Sequence, residues 1–490
     1  MRAGARRPAV LCALLLALLA VPGAAQAPRW PSSGPPRPLA AREVQFPPYE
    51  LRKLPNGLQV VVVVHDEQPV VSLRAIVQAG GAQDPEHRPG VAAIVATLLD
   101  QGTATLTAQQ IAERIDVAGG DLGTGLGRDL SFARAVLMKD DLALGMMLLA
   151  DILRNPSFAP QELERQRQQT LSALKVAYQD PEYLAGIVFD RLVYGAHPYG
   201  FPGNGTVESV QGMTRDELVS FHQAYYAPNN TLLAVVGDVT VEGAMALVTR
   251  AFGDWASRDV PPSSAATPPD PARRVIVIDK PGAAQTEIRA GHVGVPRKTD
   301  DYRAVDLLIK VLGGEGANRL YRVLRAERGL TYSASAEIES LKRSGQFVAQ
   351  TSTRSETTGE ALRLMVDEFS RLRREGVGEN ELAEAKAYLT GHFPLTIETP
   401  DEIGTHVLNA LFYELPLDEL ETFRQRVNAV AVEDIERAAL RSLRPDRLSI
   451  VLVGDAAAFV EQLPRVGFGK YEVVRLDELD VMAPDFRRKR

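Results

Sequence analysis

Two β-rich runs along the chain share one layout. LQVVVVVHDEQPVVSLRAIV begins at Leu58 and VIVIDKPGAAQTEIRAGHV at Val275, and in each an apolar stretch is broken by a short polar turn. β-branched residues on both sides of such a turn predict an antiparallel strand pair in both places. Helical periodicity follows each run. In the second half Leu362, Met365, Val366, Phe369 and Leu372 recur at i, i+3, i+4, i+7 and i+10, and Gly376 stands where a C-cap glycine belongs.

The halves also match at a fixed distance. NNTLLAVVGDV closes a predicted strand at Gly237 and Asp238, and PDRLSIVLVGDA closes one at Gly454 and Asp455, 217 residues later. The same offset superposes Leu148, Leu149, Asp151 and Ile152 on Met365, Val366, Glu368 and Phe369. One offset shared by separate elements predicts an internal repeat. We therefore read two homologous α+β domains, at 49–256 and 274–468. The Pro/Ser-rich segment SRDVPPSSAATPPDPAR (257–273) is the linker between them, and a tail at 469–490 ends in FRRKR.

The first residues follow a different logic. Arg2, Arg6 and Arg7 precede an apolar run from Ala9 to Val21, and the small-residue stretch GAAQA follows. This predicts a secretory signal peptide over 1–25, cut after Ala25, ahead of a Pro-rich arm at 26–48. The run is shorter than the roughly 20 residues that span a bilayer, so no stable membrane insertion is expected after cleavage. The expected destination is the periplasm. Cys12, the only cysteine, would leave with the leader, which excludes disulfides and thiol chemistry from the mature chain. With 45% apolar and 24% charged residues the chain has the composition of a globular protein. Loss of the three leader arginines takes the formal charge from −7 to −10, an acidic balance that argues against nucleic acid as a partner.

The segments LPNGLQV, AGGAQDP, GVAAIVATLLDQGTATLTAQQIAERIDVAGG and HPYGFPGNGTVESV together resemble the insulinase, pitrilysin and mitochondrial processing peptidase family. The resemblance runs from about Tyr49 to Phe468. It implies two α/β-layer domains that form half of a clamshell. Active members carry His-x-x-Glu-His on a helix ahead of a Gly-Thr pair. Residues at i and i+4 share a helix face, so both imidazoles reach one Zn²⁺, and the Glu beside them can take a proton from the bound water. A distal Glu on a later helix completes the ligand set.

Alignment on Gly90 and on Gly102 and Thr103 puts Ala93, Ala96 and Thr97 at the His, Glu and His positions. Alignment on Asp180 and Pro181 puts Ala173 at the distal ligand and Gln166 at an acidic position two turns earlier. The resemblance therefore implies a non-catalytic member that binds no metal. No two of the seven histidines (65, 87, 197, 222, 292, 392 and 406) stand at ligand spacing, and none is assigned a role. The glycine-rich stretch Gly119 to Asp129 fits no phosphate-loop pattern. It matches the edge strand along which active members align an extended substrate.

In ANRLYRVLRAERGLTYSASAEI, Arg325 and Tyr332 have the spacing and flanks of an arginine and tyrosine that, in the family, reach a substrate held near the zinc. Their implied role is substrate binding in trans. The residue-level alternative is a surface ion pair for Arg325, on a basic helix that also carries Arg319, Arg322 and Arg328. Gly313, Gly314 and Gly316 predict a helix-to-helix turn. The resemblance thus implies the non-catalytic subunit of a heterodimeric zinc peptidase, with zinc in a homologous partner and unfolded or short peptides as substrate. A binding or scaffold protein, like core subunits of respiratory complexes, is the alternative, and a homodimer also stays open.

Overall fold

Val60 to Val63 and all seven residues of Thr231–Gly237 are buried, as expected for strands covered on both faces. In the computed structural model, which describes residues 45–262, 268–269, 271–314, 316 and 318–488, these runs are central strands of a first sheet. Its strands are β1 (Tyr49–Lys53), β2 (Gln59–Val64), β3 (Val70–Val77), β4 (Asp121–Leu126), β5 (Ser131–Met138) and β6 (Thr231–Gly237), in the order β1-β2-β6-β3-β5-β4. Its helices are α1 (Val91–Leu98), α2 (Ala108–Val117), α3 (Leu142–Arg154), α4 (Pro160–Ala177), α5 (Pro181–Tyr194), the short α6 (Val207–Gln211), α7 (Arg215–Tyr225) and α8 (Val241–Phe252). The predicted signal peptide, Cys12 and nearly all of the arm lie outside the described residues.

The second half repeats the plan. Strands β7 (Arg274–Asp279), β8 (Gln285–Gly294), β9 (Thr331–Ser340), β10 (Gly345–Arg354), β11 (Ser449–Gly454) and β12 (Glu472–Arg475) lie in the order β12-β7-β11-β8-β10-β9. The helices are α9 (Tyr302–Gly313), a π-helix at Tyr321–Glu327, α10 (Thr358–Glu375), α11 (Glu379–His392), α12 (Pro400–Phe412), α13 (Asp418–Ala429), α14 (Val432–Ser442) and α15 (Ala456–Phe459). The offset is 215 residues between β2 and β7 and 217 between α7 and α14, so the repeat is real and drifts by two residues. The molecule is a two-domain α+β protein with two six-stranded sheets. Among the described residues no helix is long and apolar enough to cross a membrane.

Two expectations are corrected. β2 and β3 do not pair with each other, because β6 lies between them, parallel to β2 and antiparallel to β3. β11 separates β7 from β8 in the same way. The polar turn after each first strand is therefore a crossover rather than a hairpin. Nor is 469–490 a free tail: β12 extends the second sheet beside β7, and Val474, Leu479, Val481 and Phe486 are buried.

The halves exchange helices. α12 of the second half covers the outer face of the first sheet, where a methyl at Gly404 would meet Val236 Cγ2 at 3.3 Å and Ala234 Cβ at 3.5 Å. α5 of the first half covers the second sheet, and Leu184, Val188 and Phe189 share a core with Ile276, Ile278, Val451 and Val453. Each exchanged helix starts with a capped Pro: Asp180 accepts from Glu182 N, and Thr399 forms a capping box with Glu402. Each also meets an arginine of the sheet it covers. Arg74 Nη1 bonds both Asp401 oxygens at 3.0 Å, and Arg289 lies 3.9 Å from Glu182.

Candidate functional site

β4 and β9 each form one edge of their sheets, opposite β1 and β12. They converge at their hairpin ends, where Lys342 N donates to Asp129 Oδ2 at 2.9 Å and Lys342 Nζ donates to Gln78 Oε1 at 3.0 Å. Arg128 sits at this junction. It bridges Asp190 at 2.7 Å and Glu339 at 3.2 Å, and also donates to the Tyr199 carbonyl. The glycine-rich segment read as an edge strand is therefore one: it pairs with β5 on one side, and the backbone groups on its other side have no strand partner among the described residues.

The helix that would carry a metal motif is present and well anchored. Gly90 has φ 96°, and a Cβ there would lie 2.8 Å from Gly205 Cα, so the entry to α1 requires glycine. Asp84 caps the helix, accepting from Gly90 N and Ala92 N at 2.7 Å each. Burial pushes its carboxyl up to about 7 against those two bonds. The folded state thus holds this proton more tightly than the unfolded chain, whose ordinary value is 3.8. Stability should therefore fall as pH rises through the window from 3.8 to about 7. Asp84→Asn should flatten that slope, read as the urea midpoint at several pH values. An unchanged slope would contradict the assignment.

On α1 itself, Ala93 is half-buried, Ala96 is buried and Thr97 is exposed. The Thr97 hydroxyl donates back to the Ala93 carbonyl at 2.8 Å, so it is committed to its own helix. On the neighbouring α4, Ala173 presents an exposed methyl and Gln166 Nε2 donates to Thr170 Oγ1 at 3.3 Å. Two methyls, a hydroxyl and a further methyl offer no imidazole or carboxylate, and Zn²⁺ does not fit this donor set. Among the described residues no group of three or more His, Cys, Asp or Glu could hold a metal ion.

Three of the histidines are engaged elsewhere. His222 is buried against Tyr226 and bonds the Leu153 carbonyl at 2.9 Å, and burial pushes it down to about 4. His292 lies between the Val293 carbonyl and Arg444 N, and His406 pairs with Thr396.

Arg325 and Tyr332 are brought together. The Arg325 Nη1 donates to the Tyr332 carbonyl at 2.8 Å, and the guanidinium lies 4.5 Å from the Tyr332 ring centre. A third residue that spacing alone did not single out completes the group: the Tyr321 ring lies 5.1 Å from the same guanidinium. Its signal was available in the sequence, since Tyr321 stands four residues before Arg325 on one helical face. The π-helix carries Tyr321 and Arg325, and Gly329, with φ 61°, turns the chain into β9. Thr331, Thr351 and Thr353 then pin the start of that strand: Thr351 Oγ1 donates to Thr331 Oγ1, and Thr353 Oγ1 to the Leu330 carbonyl.

Tyr332 is 81% exposed, and among the described residues Arg325 makes no ion pair. The close ion pair in this stretch belongs to Arg319 instead, and it is a buried one with Glu381 rather than a surface one. A guanidinium lying over two phenol rings, one of them exposed at the end of an edge strand, can bind a carbonyl or carboxylate, and the exposed phenol can donate to an oxyanion. Gly313 closes α9 and presses so close to β9 that a Cβ would lie 2.2 Å from Ala336 N.

Comparison with known proteins agrees with this arrangement. Residues 60–195 match the model of the insulinase family (peptidase family M16), and residues 212–389 match that of the peptidase M16 inactive domain. An uncharacterized zinc protease of Mycobacterium leprae is 29% identical over 422 residues, 84% of this chain and 93% of that protein. The uncharacterized zinc protease YmxG of Bacillus subtilis is 22% identical over 385 residues, 78% of this chain and 92% of that one. Among solved structures, a peptidase M16 inactive domain from Pseudomonas fluorescens superposes with a TM-score of 0.78 at 29% identity, covering 83% of this chain and 98% of that chain. A protease from Helicobacter pylori shares the fold, with a TM-score of 0.79 at 22% identity over 83% of this chain and 99% of that one. With its two repeated α+β halves and with Ala93, Ala96, Thr97 and Ala173 at the ligand positions, the chain belongs to the insulinase (peptidase M16) family as a member that has lost the zinc motif.

Proposed function

We propose that this chain is the non-catalytic subunit of a heterodimeric zinc peptidase. In this reading it binds unfolded or short peptides along β4 and β9 and offers Arg325 and Tyr332 to a substrate held at the partner's zinc. The observation that carries it is the contrast between the two halves. The α1 and α4 positions retain nothing that binds metal, while Arg325 and Tyr332 remain stacked, exposed and free of competing ion pairs among the described residues. A relic would have no physical reason to keep an exposed aromatic ring ordered against a guanidinium.

The partner supplies zinc and its water, and this chain supplies binding. Arg325 fixes a peptide carbonyl or carboxylate, β4 offers unpaired backbone groups for strand addition, and the Tyr332 hydroxyl donates to the oxygen that gains charge. In this reading the chain works in the periplasm, in keeping with the leader predicted from its first residues.

Purification of the native chain from its own cells tests the assembly. A homologous chain with an intact His-x-x-Glu-His should co-purify, with one zinc per pair by elemental analysis. Recovery of this chain without any zinc-bearing homologue would overturn the reading.

A further inference from the structure

From β2 and β7 onward the halves follow one plan, with α1 matched by α9 and α4 by α11, so the gap between α1 and α4, where the metal ligands are missing, has a counterpart between α9 and α11. The π-helix there stands where the first half has α2. That counterpart is an open cleft of about 430 Å³, lined among others by Lys310, Arg319, Tyr321, Arg322, Glu384 and Tyr388.

Its inner wall holds an unsatisfied donor. Arg319 is only 7% exposed. Its Nε and Nη2 bond Glu381 at 2.9 and 2.6 Å, Nη2 also bonds the Gly376 carbonyl, and Nη1 is buried with no hydrogen-bond partner among the described residues. Buried guanidinium donors are rarely left so. The Glu381 carboxyl is held below its ordinary range by the bond from Arg319, so this acid is already used. Arg322 is half-exposed, with its carboxylate neighbour Glu327 no closer than 3.9 Å, and the Lys310 ammonium lies 5.9 Å from the Tyr388 ring. Cations that share a cleft with two phenol rings suit a carboxylate attached to an apolar or aromatic group.

The cleft also adjoins the stacked pair. Tyr321 lines it while carrying the Arg325 guanidinium 5.1 Å from its ring centre. We propose that the cleft between α9 and α11, at the repeat counterpart of the lost metal site, binds the C-terminal carboxylate of a peptide engaged by Arg325 and Tyr332. This rests on the peptide-binding function proposed above. Arg319 and Arg322 are then the residues that set a preference for free chain ends, and the second half has kept as an anion cleft the place the first half once used for metal.

The test is isothermal titration of the full chain with one short peptide in three forms: free acid, C-terminal amide, and amide with a Glu side chain near its end. Benzoate serves as a small carboxylate probe. Arg322→Gln is an exposed change, and Arg319→Lys keeps a cation against Glu381 while removing the unpaired donor. The free acid should bind the wild type about tenfold more tightly than the amide, and the ratio should fall to near one when both substitutions are present. Arg325→Ala should weaken both peptides equally and leave the ratio intact. Equal binding of acid and amide to the wild type overturns the proposal, and rescue by the Glu side chain overturns the assignment to the chain end. Benzoate binding that vanishes in the double variant, with no peptide binding at all, supports the cleft while refuting the peptide-binding function.

Discussion

Replacing Arg128 by Met should lower the unfolding free energy by about 2–3 kcal/mol, because it leaves two carboxylates at the junction of the halves without their cation. Arg128 reaches Asp190 on α5 at 2.7 Å and Glu339 on β9 at 3.2 Å, and its guanidinium lies 5.7 Å from the Tyr194 ring. Burial works against the charge of Arg128, yet the two carboxylates hold it above its ordinary value. Burial likewise raises Glu339, and Arg128 opposes that rise. The expected loss is below the full cost of a broken buried pair because all three side chains are partly solvated.

The pH dependence carries the sign of the effect. Without Arg128 the Glu339 carboxyl should rise further, so the folded variant binds a proton that the unfolded chain has released. The deficit should then shrink as pH falls and widen as pH rises through the folded value. Urea titrations at several pH values check this. Arg128→Met with Glu339→Gln should recover part of the loss, as expected for two groups in one network.

The second large effect concerns turnover. Tyr332→Phe in the assembled complex should lower kcat about 10²- to 10³-fold, the range found when one donor to a developing oxyanion is removed. Tyr332 is 81% exposed, so losing its hydroxyl should change stability by no more than about 0.5 kcal/mol and leave assembly intact. On the proposed function Arg325→Ala should act more on KM, because a guanidinium that holds the substrate would do so in its ground state as well as in the transition state. It also releases the Tyr332 carbonyl and the stack on Tyr321, so part of its effect comes through positioning. Unchanged turnover in both variants would favour a scaffold instead.

Local patterns were legible in the sequence and non-local ones were not. The apolar spacing from Leu362 to Leu372 predicts a helix stopped at Gly376, and α10 ends there with Gly376 at φ 71°. The glycine-rich run after Gly119 is an edge strand, as the resemblance implied. The repeat was visible because separate elements kept one offset. The error at β2 and β3 has a clear source: the strand that separates them, β6, lies far along the chain, and no local turn signal reports it. For the same reason nothing near Pro181 or Pro400 reveals that each helix covers the other half's sheet. Val474 and Phe486 were passed over as tail because the short β12 lacks a long apolar run, yet both are buried.

At the candidate site the negative result was the easier one. Methyl side chains at 93, 96 and 173 cannot bind metal whatever the fold does. The positive result needed coordinates, because only the π-helix and the turn at Gly329 show how Arg325 comes to lie over two rings. The unsatisfied Arg319 donor and the open cleft before it belong to the same category.

The central claim is that this chain completes a partner's active site through Tyr332. The direct measurement is hydrolysis of a quenched-fluorescence unstructured peptide by the zinc-bearing homologue alone, with the wild-type chain added, and with the Tyr332→Phe chain added. The account predicts rapid hydrolysis only with the wild-type chain, about 100-fold above the variant complex. Equal rates for the wild-type and variant complexes, or full activity of the homologue alone, would contradict it.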